Sequence, residues 1–189
     1  QTAGTDIGGA GNVTVTGLAA DTDLSDVDPA GTLMARVAAS IDISANPNLG
    51  TVEAFEVASG QTLTLAAAQA DGTTISGAGN VTVKGLSATT DLSDLAATGT
   101  VIATVTANSD ITASDTLGVV DEFQVTGGTL TLTAAQADGQ TVTGAGNVAI
   151  TGLGTAAVDL SAIAATGTAA IVGSIELAAA TDLGEVTIT

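Results

Sequence analysis

Four carboxylates fall within eight residues at Asp21, Asp23, Asp26 and Asp28. Oxygen ligands of this kind suit calcium, which collects about six to eight of them, so these four are the chain's candidate metal ligands. A solvated turn, in which Asp side chains accept neighbouring backbone N–H groups, explains the same residues without a metal. Catalysis has little to draw on. The chain has no His and no Cys, which removes the commonest general base, the commonest zinc ligand and every Ser-His or Cys-His nucleophile system. Lys84 stands without a partner pattern around it. Paired carboxylates for glycoside hydrolysis are available, but sugar sites call for aromatic platforms and acidic sugars for basic residues, and both are scarce here. We therefore expect no catalytic residue and no cofactor beyond calcium.

The segments that must position these groups recur. Gly9-Ala10-Gly11-Asn12-Val13-Thr14-Val15 returns as Gly77-Ala78-Gly79-Asn80-Val81-Thr82-Val83 and as Gly144-Ala145-Gly146-Asn147-Val148-Ala149-Ile150, 68 and then 67 residues on. A near-constant period marks a repeat architecture. Thr62 to Gly72 matches Thr129 to Gly139 except at Ala66 and Thr133, Leu49-Gly50 matches Leu117-Gly118, and Phe55 matches Phe123. Asp23-Leu24-Ser25-Asp26 maps onto Asp91-Leu92-Ser93-Asp94 and then Asp159-Leu160-Ser161, so the acidic cluster thins along the chain. The organisation is a single continuous array over 1–189, with repeats at 9–76, 77–143 and, in part, 144–189, and with 1–8 as the tail of a preceding repeat. Gln1 aligns with Gln69 and Gln136, and Leu183-Gly184 to Thr189 aligns with the region after Leu117. Both ends interrupt the repeat, and the expectation is a segment of a longer array.

Gly8-Gly9-Ala10-Gly11-Asn12 resembles the opening of the calcium-binding Gly-Gly-x-Gly-x-Asp nonapeptide of RTX proteins. The pattern departs at the ligand position, where Val13, Val81 and Val148 replace the Asp, and Ser76 or Thr143 replaces the first Gly. A structural role fits better: Gly for a tight corner, and Asn12, Asn80 and Asn147 satisfying backbone groups or stacking between coils.

Composition bounds the class. The apolar 45% is Ala, Val, Leu and Ile, with two Phe and no Trp or Tyr. Small and branched side chains suit thin, layered interiors in which each residue stacks on its neighbour one strand away. A formal charge of −18 argues strongly against nucleic acid and anionic membrane as partners. No stretch approaches the roughly 18 apolar residues of a membrane span, so no membrane insertion is expected. Charged residues are only 12% of the chain, unlike disordered segments of high charge and low hydrophobicity.

Period-two runs such as Val13-Thr14-Val15, Leu63-Thr64-Leu65, Val81-Thr82-Val83, Val101 to Val105 and Leu130-Thr131-Leu132 read as short strands with one buried face. Their Thr residues should face solvent. Ala66 to Ala70 and Ala134 to Ala137 read as single helical turns ending at Asp-Gly. The expected fold is all-β: a parallel, right-handed β-solenoid of about 22 residues per coil, three coils to each repeat, the hand following from crossover chirality. Antiparallel β-sandwich repeats are the alternative.

The whole chain resembles the repetitive β-solenoid regions of large secreted bacterial surface proteins of adhesin and surface-layer type. The residues that carry the resemblance are Gly-Ala-Gly-Asn-Val-Thr-Val and Leu-Thr-Leu-Thr-Ala-Ala-Gln-Ala-Asp-Gly. It implies an extracellular or cell-surface scaffold, filament or adhesin stalk without catalytic residues. The expected partners are neighbouring repeats of the same protein, other copies docked end to end through exposed sheet edges, and a glycan or cell-surface ligand. The alternative is a calcium-dependent adhesive or carbohydrate-binding module.

Overall fold

The structure, a computed structural model, describes residues 7–173, 182–184 and 186–188. The alignments of Gln1 and Thr189 lie outside the described residues. The chain forms two compact units, Gln1–Val83 with Asp91–Val101 and Lys84–Thr90 with Ile102–Thr189. Each is a parallel β-solenoid of about 20 residues per turn.

The first unit holds β1 (Ile7–Gly9), β2 (Val13–Thr16), β3 (Val27–Pro29), β4 (Leu33–Val37), β5 (Ile41–Asp42), β6 (Ala54–Val57), β7 (Thr62–Ala66), α1 (Ala67–Ala70), β8 (Thr74–Gly77), β9 (Asn80–Lys84) and β10 (Leu95–Ala97). One sheet stacks β2, β4, β6, β8 and β10 in that order, a second stacks β5, β7 and β9, and β1 pairs with β3. The strand pairings described are parallel, among them β2 with β4 and β4 with β6. The antiparallel sandwich is thereby excluded.

The turn is shorter than expected, and the repeat is not a whole number of turns. Thr14 stacks on Met34, Met34 on Ala54 and Ala54 on Thr74, so three turns carry the chain from Thr14 to Thr74. Thr82, the repeat equivalent of Thr14, comes eight residues later, in β9. It belongs to the second sheet, whereas Thr14 belongs to the first. Each repeat is therefore three turns plus one face. The expectation of 22 residues per coil came from dividing the repeat by three; the extra face accounts for the difference. The pair β1 and β3 obeys the same rule, because their equivalents β8 and β10 pair within the next sheet.

Alternation decides which side chains face inward. Leu63 and Leu65 are fully buried and Thr64 between them is half-buried; Val81 and Val83 flank Thr82 in the same way. Inward residues form rows along the stack. Val15, Ala35, Phe55, Ile75 and Leu95 are successive partners in register. Phe55 lies next to Ala35, whose small volume leaves room for the ring in an interior packed to crystal-like density.

The second unit repeats this construction with β11 (Val101–Val105), β12 (Ser109–Asp110), β13 (Glu122–Val125), β14 (Thr129–Thr133), α2 (Ala134–Ala137), β15 (Thr141–Gly144), β16 (Asn147–Thr151), β17 (Ile163–Ala165), β18 (Ala169–Val172) and β19 (Thr187–Ile188). Here β11, β13, β15 and β17 stack in one sheet and β12, β14, β16, β18 and β19 in another. Ala103 again lies beside the ring, that of Phe123. The expected helical turns are present as α1 and α2, each ended by an Asp-Gly pair whose glycine has φ of +65° at Gly72 and +66° at Gly139. Glycine adopts that left-handed conformation without the Cβ clash other residues meet.

Candidate functional site

The acidic corner is built from local turns. Asp23 Oδ1 accepts the Ser25 N–H at 3.0 Å and its hydroxyl at 2.6 Å. These bonds, the hydroxyl first, hold the Asp23 carboxyl below the usual carboxylate range. Leu24, between the two, is 1% exposed and plugs the core. Asp42 with Ser44, Asp91 with Ser93, Asp110 with Thr112 and Asp159 with Ser161 form the same turn. The pattern Asp, then Leu or Ile, then Ser or Thr is thus a corner signature: the carboxylate ties the backbone and the apolar residue faces inward. Asp21, Asp26 and Asp28 are exposed, with Asp28 on β3. Among the described residues no three carboxylates come together in an arrangement that could hold a metal ion.

The Gly-Ala-Gly-Asn motif joins one turn to the next. Asn12 Oδ1 accepts the Thr32 N–H at 3.0 Å, Asn80 Oδ1 that of Thr100 at 2.9 Å, and Asn147 Oδ1 that of Thr168 at 2.9 Å. The expectation that these amides satisfy backbone groups between coils is met. Their partner motif was missed in the sequence: Gly31, Gly99 and Gly167 each sit just before the Thr and recur every 68 residues. A Cβ on Gly99 would lie 2.6 Å from the Gly79 carbonyl carbon and 2.7 Å from Asn80 Oδ1. A Cβ on Gly167 would meet Gly146 and Asn147 in the same way. The two glycine motifs fit together as lock and bolt, and the recurrence at constant offset was the available signal.

Gln69 and Gln136 clamp the corner carbonyls of the preceding turn. Gln136 Nε2 donates to the Ile111 and Ser114 carbonyls at 2.7 and 2.6 Å, and its Oε1 accepts the Thr133 N–H at 2.8 Å. Thr133 Oγ1 returns a bond by accepting the Gln136 N–H, closing a capping box. Gln69 makes the same three side-chain bonds, to the Ile43 and Asn46 carbonyls and the Ala66 N–H. The Ala66 for Thr133 difference removes the hydroxyl half of that box. Two buried polar residues at matching repeat positions each tie their corner to the turn before. Asn46 Nδ2 donates to the Thr22 carbonyl at 2.9 Å and Ser114 Oγ to the Thr90 carbonyl at 3.0 Å.

Arg36 forms a two-pronged pair with Glu56, Nε to Oε2 at 2.8 Å and Nη2 to Oε1 at 3.0 Å. The bond lowers the Glu56 carboxyl and raises the guanidinium. Both side chains are exposed, and solvent screening leaves such a surface pair little weight in stability.

Each unit also has a niche where the helical turn meets the loop before the Phe strand. In the second unit it has a volume of about 310 Å³ and is lined by Leu117, Phe123, Gln136, Asp115 and Asp138 among others. In the first unit it has about 210 Å³ and is lined by Leu49, Phe55, Gln69 and Pro47 among others. Sequence reasoning did not find these cavities, although both of the chain's aromatics occupying one repeat position marked the place.

Comparison with known proteins finds no matching family, no matching curated protein and no matching solved structure.

Proposed function

We propose that this chain is a non-catalytic structural segment of an extracellular bacterial surface protein, a stalk or filament that carries another function away from the cell. One observation carries the reading: the polar residues that recur with the repeat are engaged in holding turn to turn. Asn12, Asn80 and Asn147 bind the next turn, and Gln69 and Gln136 bind the preceding one. The Asp corners bind their own backbone. Repeated residues in a multivalent binder would instead be left facing solvent with free donors and acceptors. The exposed surface is acidic, which suits a segment that must stay apart from anionic cell envelopes.

The test is location. Antibodies raised against the 189-residue chain should label intact cells of the source bacterium, and protease treatment of those cells should remove the label. Labelling that appears only after permeabilisation refutes the proposal.

A further inference from the structure

The two niches share a floor and differ at the rim. We propose that the niche of the second unit binds a primary alkylammonium group, with its short aliphatic stem against Phe123 and Leu117 and its ammonium at Asp115 and Asp138. Size selects this niche over its counterpart. Its volume of about 310 Å³ reaches the lower end of the range for ligand pockets, about 300–1,000 Å³, while the first unit's 210 Å³ falls short of it. Charge selects the ligand. Two carboxylates line the larger niche, and no acidic residue lines the smaller, where Pro47 stands at the repeat position of Asp115.

The side-chain donors in the larger niche are already engaged. Gln136 Nε2 is engaged with the Ile111 and Ser114 carbonyls, Ser114 Oγ with the Thr90 carbonyl, and Gln140 Nε2 with the Val120 carbonyl. What a ligand meets is an apolar floor under a negative rim. An ammonium at the rim stays partly hydrated, so it gains attraction without the full cost of burying a charge. The binding is non-covalent and does not depend on the stalk reading, so either can fail alone.

The probe is n-butylammonium chloride, titrated into the 15N-labelled 189-residue chain, with n-butanol as its uncharged counterpart. The expected result is saturable shifts at the Gly118, Ala135 and Gln140 amides, at least about tenfold weaker with n-butanol, and no matching response at Gly50 and Ala68. The double variant Asp115→Asn, Asp138→Asn should weaken binding about tenfold; Asp138→Asn keeps an oxygen for the Asp159 N–H that Asp138 Oδ1 now accepts at 2.7 Å. Equal response to the alcohol, equal response of the two niches, shifts spread over every Asp corner, or no saturable shift at all would each overturn the proposal. A lysine amide, N-acetyl-lysine-N-methylamide, separates the sources of such a group: tighter binding than n-butylammonium points to a protein lysine, and equal or weaker binding to a free amine.

Discussion

Gly99→Ala tests the inter-turn lock directly. Gly99 has no positive φ, so the backbone tolerates alanine and any cost is steric. The added methyl would meet the Gly79 carbonyl, its carbon at 2.6 Å, and Asn80 Oδ1 at 2.7 Å. These neighbours are backbone and the amide end of Asn80, which its bond to the Thr100 N–H holds in place. Overpacking of this kind costs about 1–3 kcal/mol. Displacing Asn80 also lengthens its 2.9 Å bond to the Thr100 N–H, worth about 1 kcal/mol. We expect a total loss of about 2–4 kcal/mol. Gly154→Ala is the control, because Gly154 has no positive φ and a Cβ there would find nothing within 4 Å; it should be neutral or slightly stabilising. Urea denaturation gives the midpoints, and hydrogen exchange at the Thr100 amide reports whether the loss is local, as expected where neighbouring turns carry stability separately. If Gly99→Ala and Gly154→Ala unfold at the same urea concentration with the Thr100 amide equally protected, the lock does not exist.

Gln136→Leu should lower stability by about 2–3 kcal/mol, since two carbonyls and one N–H lose partners at a half-buried site; an unchanged urea midpoint would refute the clamp. The carboxyls of Asp23, Asp110 and Asp159 are lowered by hydroxyl bonds from Ser25, Thr112 and Ser161, with backbone bonds second. A lowered folded-state pKa gives stability that is present above the unfolded value of about 3.9 and lost as pH falls through the folded one. Thermal melts from about pH 7 to about pH 2.5 should therefore decline below about pH 4, and the triple variant Ser25→Ala, Thr112→Ala, Ser161→Ala should show a shallower decline. Calcium should leave the melting temperature unchanged, because Asp23 already bonds Ser25. A ligand present at about 100 times its Kd stabilises by about 2.7 kcal/mol, so a clear upward shift abolished by chelator would restore Asp21, Asp23, Asp26 and Asp28 as ligands.

The strands were legible because alternation is a two-residue signal that short windows contain: Leu63-Thr64-Leu65 and Val81-Thr82-Val83 face as their pattern says. The single helical turns were legible too, since Ala-Ala-Gln-Ala followed by Asp-Gly can begin a helix and must soon end it. Turn length was not. Spacing along a chain reveals the period of its sequence, and only the register between strands reveals the period of its backbone. The role of Asn12 was visible from its type, but its partner Thr32 lies 20 residues away and no local pattern names it. Gly31, Gly99 and Gly167 needed the same knowledge, because their reason is a contact from the turn before. The corner aspartates held both meanings at once, and the Ser two residues on was the clue to the structural one.

The extra face in each repeat has a consequence for heredity as much as for folding. Since Thr14 and Thr82 lie in different sheets, no strand of this motif has its own duplicate directly above or below it. A nascent chain that slips by one turn meets a foreign neighbour and loses the Asn-to-Thr bonds and the Phe-over-Ala fit, so near-identical copies do not blur the alignment. Tandem genes gain and lose copies by recombination. Loss of one turn would leave the strands of the first unit on the sheets they already occupy, whereas loss of one repeat would hand the motif from one sheet to another. Number of turns and number of repeats are thus separate variables in this chain.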